Sequence, residues 1–280
     1  MALSGGGFRA TIYHIGVLRF LYEAGLLQQV SHVTSVSGGS IMAAHLVMNW
    51  DRYTGSEQEF EEATNELLDF VRLDVRNRIV RRYPLALAGN CLHWFFRQGW
   101  LRRLTRAGLL EAHYEKHLFG DKCLYELPLI PQLHILATNV NEGCLCSFTR
   151  NGILAESRIP NGATFFNAIP SALATVPMAV AASSAFPGFF PPIRLTANDV
   201  GADQGRFPPH VLTDGGVYDN LGVRMFQHIR ESWIGHDTAL TENDFNDLSQ
   251  AARLLESGRD DSTTPIGRVA TLVFDRCNID

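Results

Sequence analysis

Two glycine-rich turns near the start of the sequence constrain its fold more than any other feature. The first turn, at residues 5–7, follows a short apolar run, and the second, at residues 37–40, follows the valine-bearing run 29–36. An apolar helical run comes directly after each turn, at residues 9–24 and 41–50. Strand, turn and helix in this repeated order are typical of parallel strands covered by helices. We therefore predict an α/β fold with a mostly parallel central sheet flanked by helices.

Residues 51–125 differ in character from the runs before them. Apolar residues recur at helical spacing along the charged stretch 57–82, and the stretch 85–110 is rich in aromatic residues and arginine. We predict a helical insertion over 51–125. Two interpretations stay open for it: a helical subdomain that packs on the sheet, or a lid-like surface suited to a lipid interface.

Composition excludes some classes of protein. The net charge of −5 gives no reason to expect nucleic-acid binding. There is no secretory signal pattern and no run of 18 apolar residues, so no membrane-spanning helix is expected. Five cysteines, an odd number in a long chain, favour a reducing compartment over a disulfide framework. These observations predict a cytoplasmic location.

The second turn has the residues of a nucleophile elbow. Ser37 stands between a predicted strand and an apolar helix, within the run S-V-S-G-G that begins at Ser35 and ends at Gly39. An elbow needs small residues on both sides of the serine, because strand and helix approach closely there. The usual pattern is G-x-S-x-G, and Ser35 replaces its first glycine. The alternative is an ordinary glycine-rich turn before a helix.

The first turn could expose backbone N–H groups to an anion. Gly5, Gly6 and Gly7 precede Phe8 and Arg9 at the start of a helical run. A nucleotide phosphate loop is excluded because no Gly-Lys-Ser/Thr follows, and the spacing does not match the dinucleotide-binding G-x-G-x-x-G. An oxyanion hole fits better, since it needs N–H donors at the start of a helix.

A third motif supplies a candidate base. Asp214 follows the short apolar run 211–213 and precedes two glycines. A carboxylate at the end of a strand is held by the backbone, so it is well placed to accept a proton from a serine within about 3 Å. The alternative is a turn aspartate of the kind found in any fold.

In this order the motifs resemble those of the patatin-like phospholipases, relatives of the cytosolic phospholipase A2 catalytic domain. The matching runs are S-G-G-G-F-R-A from Ser4, S-V-S-G-G-S from Ser35 and D-G-G from Asp214. The run A-S-S-A-F-P-G-F-F-P-P from Ala182 is similar to the block between nucleophile and aspartate in that family. The resemblance spans roughly residues 1–225, with the apolar run 269–274 as a further strand. It implies a single catalytic domain over residues 1–280, which could be a fragment of a longer chain.

The resemblance implies a serine lipid acyl hydrolase, of phospholipase A type or a lipase, that works through an acyl-serine intermediate. It implies a Ser–Asp dyad without a catalytic histidine, and neither a metal nor an organic cofactor. The partners would be a lipid ester substrate and, peripherally, a membrane or lipid aggregate. Carried onto this sequence, the roles are nucleophile for Ser37, base for Asp214, oxyanion hole for Gly5, Gly6 and Gly7, loop support or lipid phosphate contact for Arg9, and elbow for Ser35 and Gly39.

Three alternatives remain at this point. His228 or His236 could complete a Ser–Asp–His triad, because both follow Asp214 along the chain as in ordinary α/β-hydrolases. The domain could instead be a catalytically impaired lipid-binding or regulatory module of the same fold. Finally, residues 85–110 could form a surface for a protein partner.

Overall fold

A computed structural model describes residues 1–73, 105–158, 164–205 and 207–235 of the 280-residue chain. The predicted strand at 269–274, His236 and most of the stretch 85–110 lie outside the described residues. The described chain divides into two compact units. The first comprises Met1–Ile15 and Ser31–Arg224, and the second contains Gly16–Val30 and residues 225–235. All the described strands belong to the first unit.

Eight strands form one sheet in the described part of the chain. They are β1 (Ala2–Leu3), β2 (His32–Val36), β3 (Gln132–Asn139), β4 (Cys144–Thr149), β5 (Gly152–Arg158), β6 (Thr164–Ile169), β7 (Ile193–Leu195) and β8 (His210–Asp214). The order runs from β1 to β6, and β8 pairs with both β3 and β7.

The α/β class is confirmed, and the parallel strands are those that carry the two glycine turns. β1 pairs parallel to β2, and β2 parallel to β3. The ladders that join β3 to β4, β4 to β5 and β5 to β6 are antiparallel. The first two of these ladders are antiparallel because their connections are short: residues 140–143 and 150–151 are too few for the crossover that parallel neighbours require. β7 and β8 also pair antiparallel.

The ends of β2 and β8 meet at one point of the sheet. The β2 ladder ends where Val36 pairs with Leu136, and the β8 ladder ends where Asp214 pairs with Ala137. Because β4 occupies the other edge of β3 over residues 135–139, β8 must lie on the same edge as β2. Two strands running in opposite directions therefore stop beside adjacent residues of β3, and the turns that follow them face each other.

Helices account for most of the remaining described chain. They are α1 (Gly7–Glu23), α2 (Gly38–Met48), α3 (Trp50–Thr54), α4 (Glu57–Arg72), α5 (Arg106–Tyr114), α6 (Val176–Ser183), α7 (Ala197–Val200) and α8 (Met225–Gly235). In the first unit α2 contacts β2 and β3, and α6 contacts β3 and β8. The first ten residues of α2 are buried, as its uniformly apolar sequence requires.

The described ends of the insertion are helical. α4 begins with a capping box in which the Ser56 hydroxyl accepts the N–H of Glu59 and the Glu59 carboxylate accepts the N–H of Ser56. Phe60 and Leu67 on its apolar face are buried. α5 is followed by a π-helical turn over Glu115–Phe119. Whether the insertion acts as a lid stays a prediction.

A buried histidine on α2 gives the stability of the fold a dependence on pH. The His45 side chain is 2% exposed, with Nδ1 3.0 Å from the Tyr53 hydroxyl. Burial lowers the pKa of His45 to about 4, and the nearby Glu66 carboxylate opposes this only in part. The folded pKa lies below the unfolded value of about 6.5, so the stabilising contribution is complete above that pH and is lost as the pH falls toward 4.

We expect this loss to reach about 3 kcal/mol of unfolding free energy at pH 4. Urea unfolding at pH 7.5 and pH 4.5 would measure it in the wild type and in His45→Gln. The variant should lose less stability between the two pH values. An equal loss in both proteins would show that His45 is not the titrating group.

Candidate active site

Ser37 occupies a strained backbone position between β2 and α2. Its φ and ψ are 52° and −121°, and it is the one non-glycine residue with positive φ among those described. A conformation of this kind costs on the order of 1–3 kcal/mol and persists only where the surroundings enforce it. A sharp strand-to-helix turn of this kind is typical of a nucleophile elbow, in which the serine side chain is presented at the end of the strand.

The elbow packs directly against the first glycine turn. A Cβ atom added at Gly38 would collide with the Gly7 carbonyl, and one added at Gly39 would collide with the Leu3 carbonyl. Only glycine leaves room for the two backbones to approach this closely. On the other side of the elbow, Ser35 is buried in β2, and its hydroxyl donates to the His134 carbonyl at 3.2 Å.

We expect Gly38→Ala to destabilise the protein by about 3 kcal/mol or more, because the added methyl group collides with backbone that cannot move independently. Ester hydrolysis should fall with it. The matched control is Gly16→Ala within α1, where nothing besides the neighbouring backbone of the helix itself lies within 4 Å of the added Cβ and alanine favours the helix by about 1 kcal/mol. Thermal unfolding of both variants would test this, and equal midpoints would contradict the close approach.

The first glycine turn lies at the N-terminal end of α1. Gly6 and Gly7 have φ angles of 145° and 63°, which side chains rarely tolerate. Gly7 is the first residue of α1, and the first N–H groups of a helix have no acceptor within it. Gly5 differs, because its N–H donates to the Asn220 carbonyl at 2.9 Å. That amide is engaged, so of the three glycines predicted to form the oxyanion hole, Gly6 and Gly7 remain candidates.

Asp214 faces the elbow from the end of β8. Its side chain is buried, and Oδ1 accepts the Gly216 N–H at 2.7 Å. Burial raises the pKa of Asp214, while the Ser37 hydroxyl and the Gly216 N–H oppose the rise. The hydroxyl is thus near enough to influence the carboxylate, although Oδ2 has no well-formed hydrogen bond within the described residues. A raised pKa makes a carboxylate a stronger proton acceptor.

Ser37 and Asp214 both line a cavity of about 1050 Å³ in the first unit. Much of its wall is apolar, formed by Phe8, Ile41, Leu110, Phe186, Phe189 and Phe190. Arg9 and Arg106 bring positive charge to the same cavity. A large apolar cavity with a few polar groups at one place is the usual form of a small-molecule or lipid site.

Three residues of the site were not found from the sequence. Asn220 reaches over the turns, so that its Oδ1 occupies the space next to Gly5 and Gly216. Tyr114 lines the cavity, and its hydroxyl lies 3.1 Å from the Ser184 hydroxyl. Burial raises the pKa of Tyr114, which keeps it a neutral hydrogen-bond donor. Gly38 could have been inferred, since the residue after the nucleophile commonly supplies an oxyanion donor.

Three further expectations from the sequence concern metal ions, membrane-spanning helices and a catalytic histidine. Among the described residues no group of three or more His, Cys, Asp or Glu side chains is arranged to hold a metal ion. None of the described helices combines the length and apolar character needed to cross a bilayer. His228 lies on α8 in the second unit, and His236 is outside the described residues.

Comparison with known proteins gives a family match. A family model described as patatin-like phospholipase matches residues 1–226. No curated protein matches the chain. Among solved structures, the crystal structure of VipD from Legionella pneumophila is similar at 15% identity and a TM-score of 0.37, covering 78% of this chain and 46% of the VipD chain. The chain thus spans less than half the length of VipD.

Proposed function

We propose, from the premise that this chain belongs to the patatin-like phospholipase family, that it hydrolyses fatty-acyl esters of lipids with Ser37 as nucleophile and Asp214 as base. One observation supports this proposal above the others. A serine on a strained turn and a buried carboxylate with a raised pKa stand together at one cavity. We propose a single catalytic domain with a cytoplasmic location, in peripheral contact with lipid.

The reaction would proceed in two steps, acylation of Ser37 and hydrolysis of the acyl-serine. Asp214 takes the proton of the Ser37 hydroxyl while Oγ attacks the ester carbonyl carbon, and the same proton then passes to the departing alcohol. Water attacks the acyl-serine, gives a proton to Asp214 and releases the fatty acid, after which the proton returns to Ser37. The backbone N–H groups of Gly6, Gly7 and Gly38 would hold the oxyanion in both tetrahedral intermediates.

The cavity supports a lipid substrate. Its phenylalanine-rich wall can bury an acyl chain, and each buried methylene contributes about 0.8 kcal/mol. Arg9 is exposed at the cavity, and Arg106 donates from Nη1 to the Phe189 carbonyl at 3.1 Å. Two guanidinium groups beside an apolar cavity favour an ester with a negatively charged head group, since arginine pairs well with phosphate.

Peripheral contact with lipid is supported by the apolar residues of the cavity. Phe186, Phe189 and Val217 line the cavity and are each more than half exposed. We expect Phe186→Ser combined with Phe189→Ser to reduce flotation of the protein with phosphatidylcholine vesicles, because the two exposed aromatic groups are lost. Leu129→Ser is the matched control, since Leu129 is 70% exposed and is not one of the residues that line the cavity. Unchanged flotation of the double variant would contradict this surface.

The test of the proposed function identifies both the lipid that is hydrolysed and the residue that reacts. The protein would be incubated with a panel of phospholipid, galactolipid and triacylglycerol substrates, and the released fatty acids would be identified. In parallel it would be treated with a fluorophosphonate, and the modified peptide would be located by mass. We expect fatty-acid release and a single adduct on Ser37. Lipid binding without release or adduct would instead favour the catalytically impaired module.

A further inference from the structure

We propose that Ser183 is a positioning residue for the nucleophile, and that residues 183–185, at the C-terminal end of α6 and just beyond it, set the separation between Ser37 and Asp214. The inference rests on the proposed function, because it concerns how that dyad is held. Ser183 and Ser184 lie in the run that resembles the block between nucleophile and aspartate. Neither was assigned a role from the sequence.

The Ser183 hydroxyl lies at the centre of a buried set of hydrogen bonds beneath the elbow. It accepts the backbone N–H of Ser37 at 2.9 Å and donates to the Leu136 carbonyl at 2.6 Å. It also lies 2.8 Å from the Ser40 hydroxyl. The side chain thereby connects the elbow, the first turn of α2 and the central strand β3.

The donor and acceptor roles in this set follow from the number of hydrogens, because each serine hydroxyl carries only one. The Ser183 hydrogen is committed to the Leu136 carbonyl, so the Ser183 oxygen acts as acceptor toward Ser37 and Ser40. The Ser35 hydrogen is committed to the His134 carbonyl at 3.2 Å. The single Ser40 hydrogen is therefore shared between Ser183 and Ser35, which lies 3.2 Å away. All three hydroxyl-bearing residues have no exposed surface, so water does not replace a missing partner.

The other member of the dyad is held two residues further along the same segment. The Ala185 carbonyl accepts the backbone N–H of Asp214 at 3.1 Å and the hydroxyl of Thr213 at 2.9 Å. One short segment therefore fixes both amides: the Ser183 hydroxyl binds that of Ser37, and the Ala185 carbonyl binds that of Asp214. A shift of this stretch changes the distance from the Ser37 hydroxyl to the Asp214 carboxylate.

The positive φ of Ser37 explains why such a restraint is needed. The elbow has an unfavourable backbone conformation and relaxes unless its neighbours hold it. A displacement of about 1 Å between reacting groups can lower a rate on the order of 100-fold. Since Ser183 is fully buried, it does not touch substrate. Its loss should therefore lower kcat and leave KM nearly unchanged.

The experiment compares three variants of the full chain. Ser183→Ala removes the hydroxyl. Ser183→Cys keeps a side chain of similar shape with a much weaker hydrogen-bond acceptor, so it separates hydrogen bonding from packing. Ser147→Ala is the matched control, because Ser147 is an equally buried serine on β4 whose hydroxyl lies near His134. The readouts are kcat and KM for a soluble p-nitrophenyl ester, the rate of fluorophosphonate labelling, and the thermal midpoint.

We expect both Ser183 variants to lose about 10- to 100-fold in kcat and in labelling rate, with KM within about threefold of wild type. Ser147→Ala should be labelled at the wild-type rate even if its thermal midpoint falls as far as those of the two Ser183 variants. Labelling of Ser183→Cys at the wild-type rate would overturn the positioning role. If Ser183→Ala does not fold, the labelling rate of Ser183→Cys alone tests that role. A wild-type protein that is not labelled, or is labelled elsewhere than at Ser37, would instead overturn the proposed function itself.

Discussion

Ser37→Ala is expected to lower fatty-acid release by about 10⁵-fold or more, because the proposed acyl intermediate forms on the hydroxyl that this change removes. The fold should survive, since alanine at this position keeps the Cβ atom and the backbone N–H that binds Ser183. The measurement is release of fatty acid from the best substrate of the panel, together with thermal unfolding. An inactive variant with a wild-type midpoint would isolate the chemical contribution of the hydroxyl.

The control for this prediction is a double variant, His228→Gln with His236→Gln. If the dyad is complete, the double variant should retain activity within a few-fold of wild type. A loss comparable to that of Ser37→Ala would favour a Ser–Asp–His triad instead. Residual activity of Ser37→Ala above about one part in a hundred would contradict the proposed nucleophile.

Asp214→Asn is expected to lower kcat by about 10⁴-fold while leaving stability equal or higher. The amide cannot take the Ser37 proton, yet its oxygen can still accept the Gly216 N–H. The sign of the stability effect follows from the pKa of Asp214, which the fold raises above its unfolded value. The fold therefore favours the protonated form, and the ionised carboxylate destabilises the folded protein once the pH exceeds the folded pKa.

The same raised pKa predicts the pH dependence of the reaction. Activity requires ionised Asp214, so kcat/KM should decline as the pH falls through a value above the ordinary aspartate pKa of about 3.9. A pH profile of the wild-type enzyme would measure this, with stability recorded at each pH. An acid limb at or below the ordinary value would contradict the proposed base.

A matched aspartate serves as the control. Asp199 caps α7, where its Oδ2 accepts the Thr196 N–H at 2.8 Å. Asp199→Asn should lower stability by about 1 kcal/mol through a weaker cap and leave kcat unchanged. Opposite signs of the stability change at positions 199 and 214 would show that one carboxylate serves the fold and the other serves the reaction. A destabilised Asp214→Asn would contradict this assignment.

The sequence predicted the turns whose backbone conformation or close packing restricts the residue type. The glycines beside Ser37 and before α1 were recognisable because strained turns and close approaches restrict the residue type. The antiparallel ladders from β3 to β6 were less accessible, since the turn-forming run N-E-G at residues 141–143 indicates one hairpin and not the pairing of a whole sheet. The engaged amide of Gly5 depends on Asn220, which is distant in the chain.

Buried polar partners were the least predictable. Ser183 and Tyr114 act through hydroxyl groups whose partners come from other elements, and no periodicity or spacing in the sequence marks such contacts. Their residue types are common in helices of any function. Only the packing of α5 and α6 near Ser37 and Asp214 shows which of several serines and tyrosines lie at this site.

The opposed endings of β2 and β8 on β3 have a consequence for the order in which the protein is made. Ser37, the proposed nucleophile, is translated early, with β1 and β2, whereas Asp214 arrives with β8, the last of the described strands. A nascent chain that has formed the turn at Ser37 still lacks Asp214. Under the proposed mechanism, ester hydrolysis therefore begins only after β8 has docked beside β3.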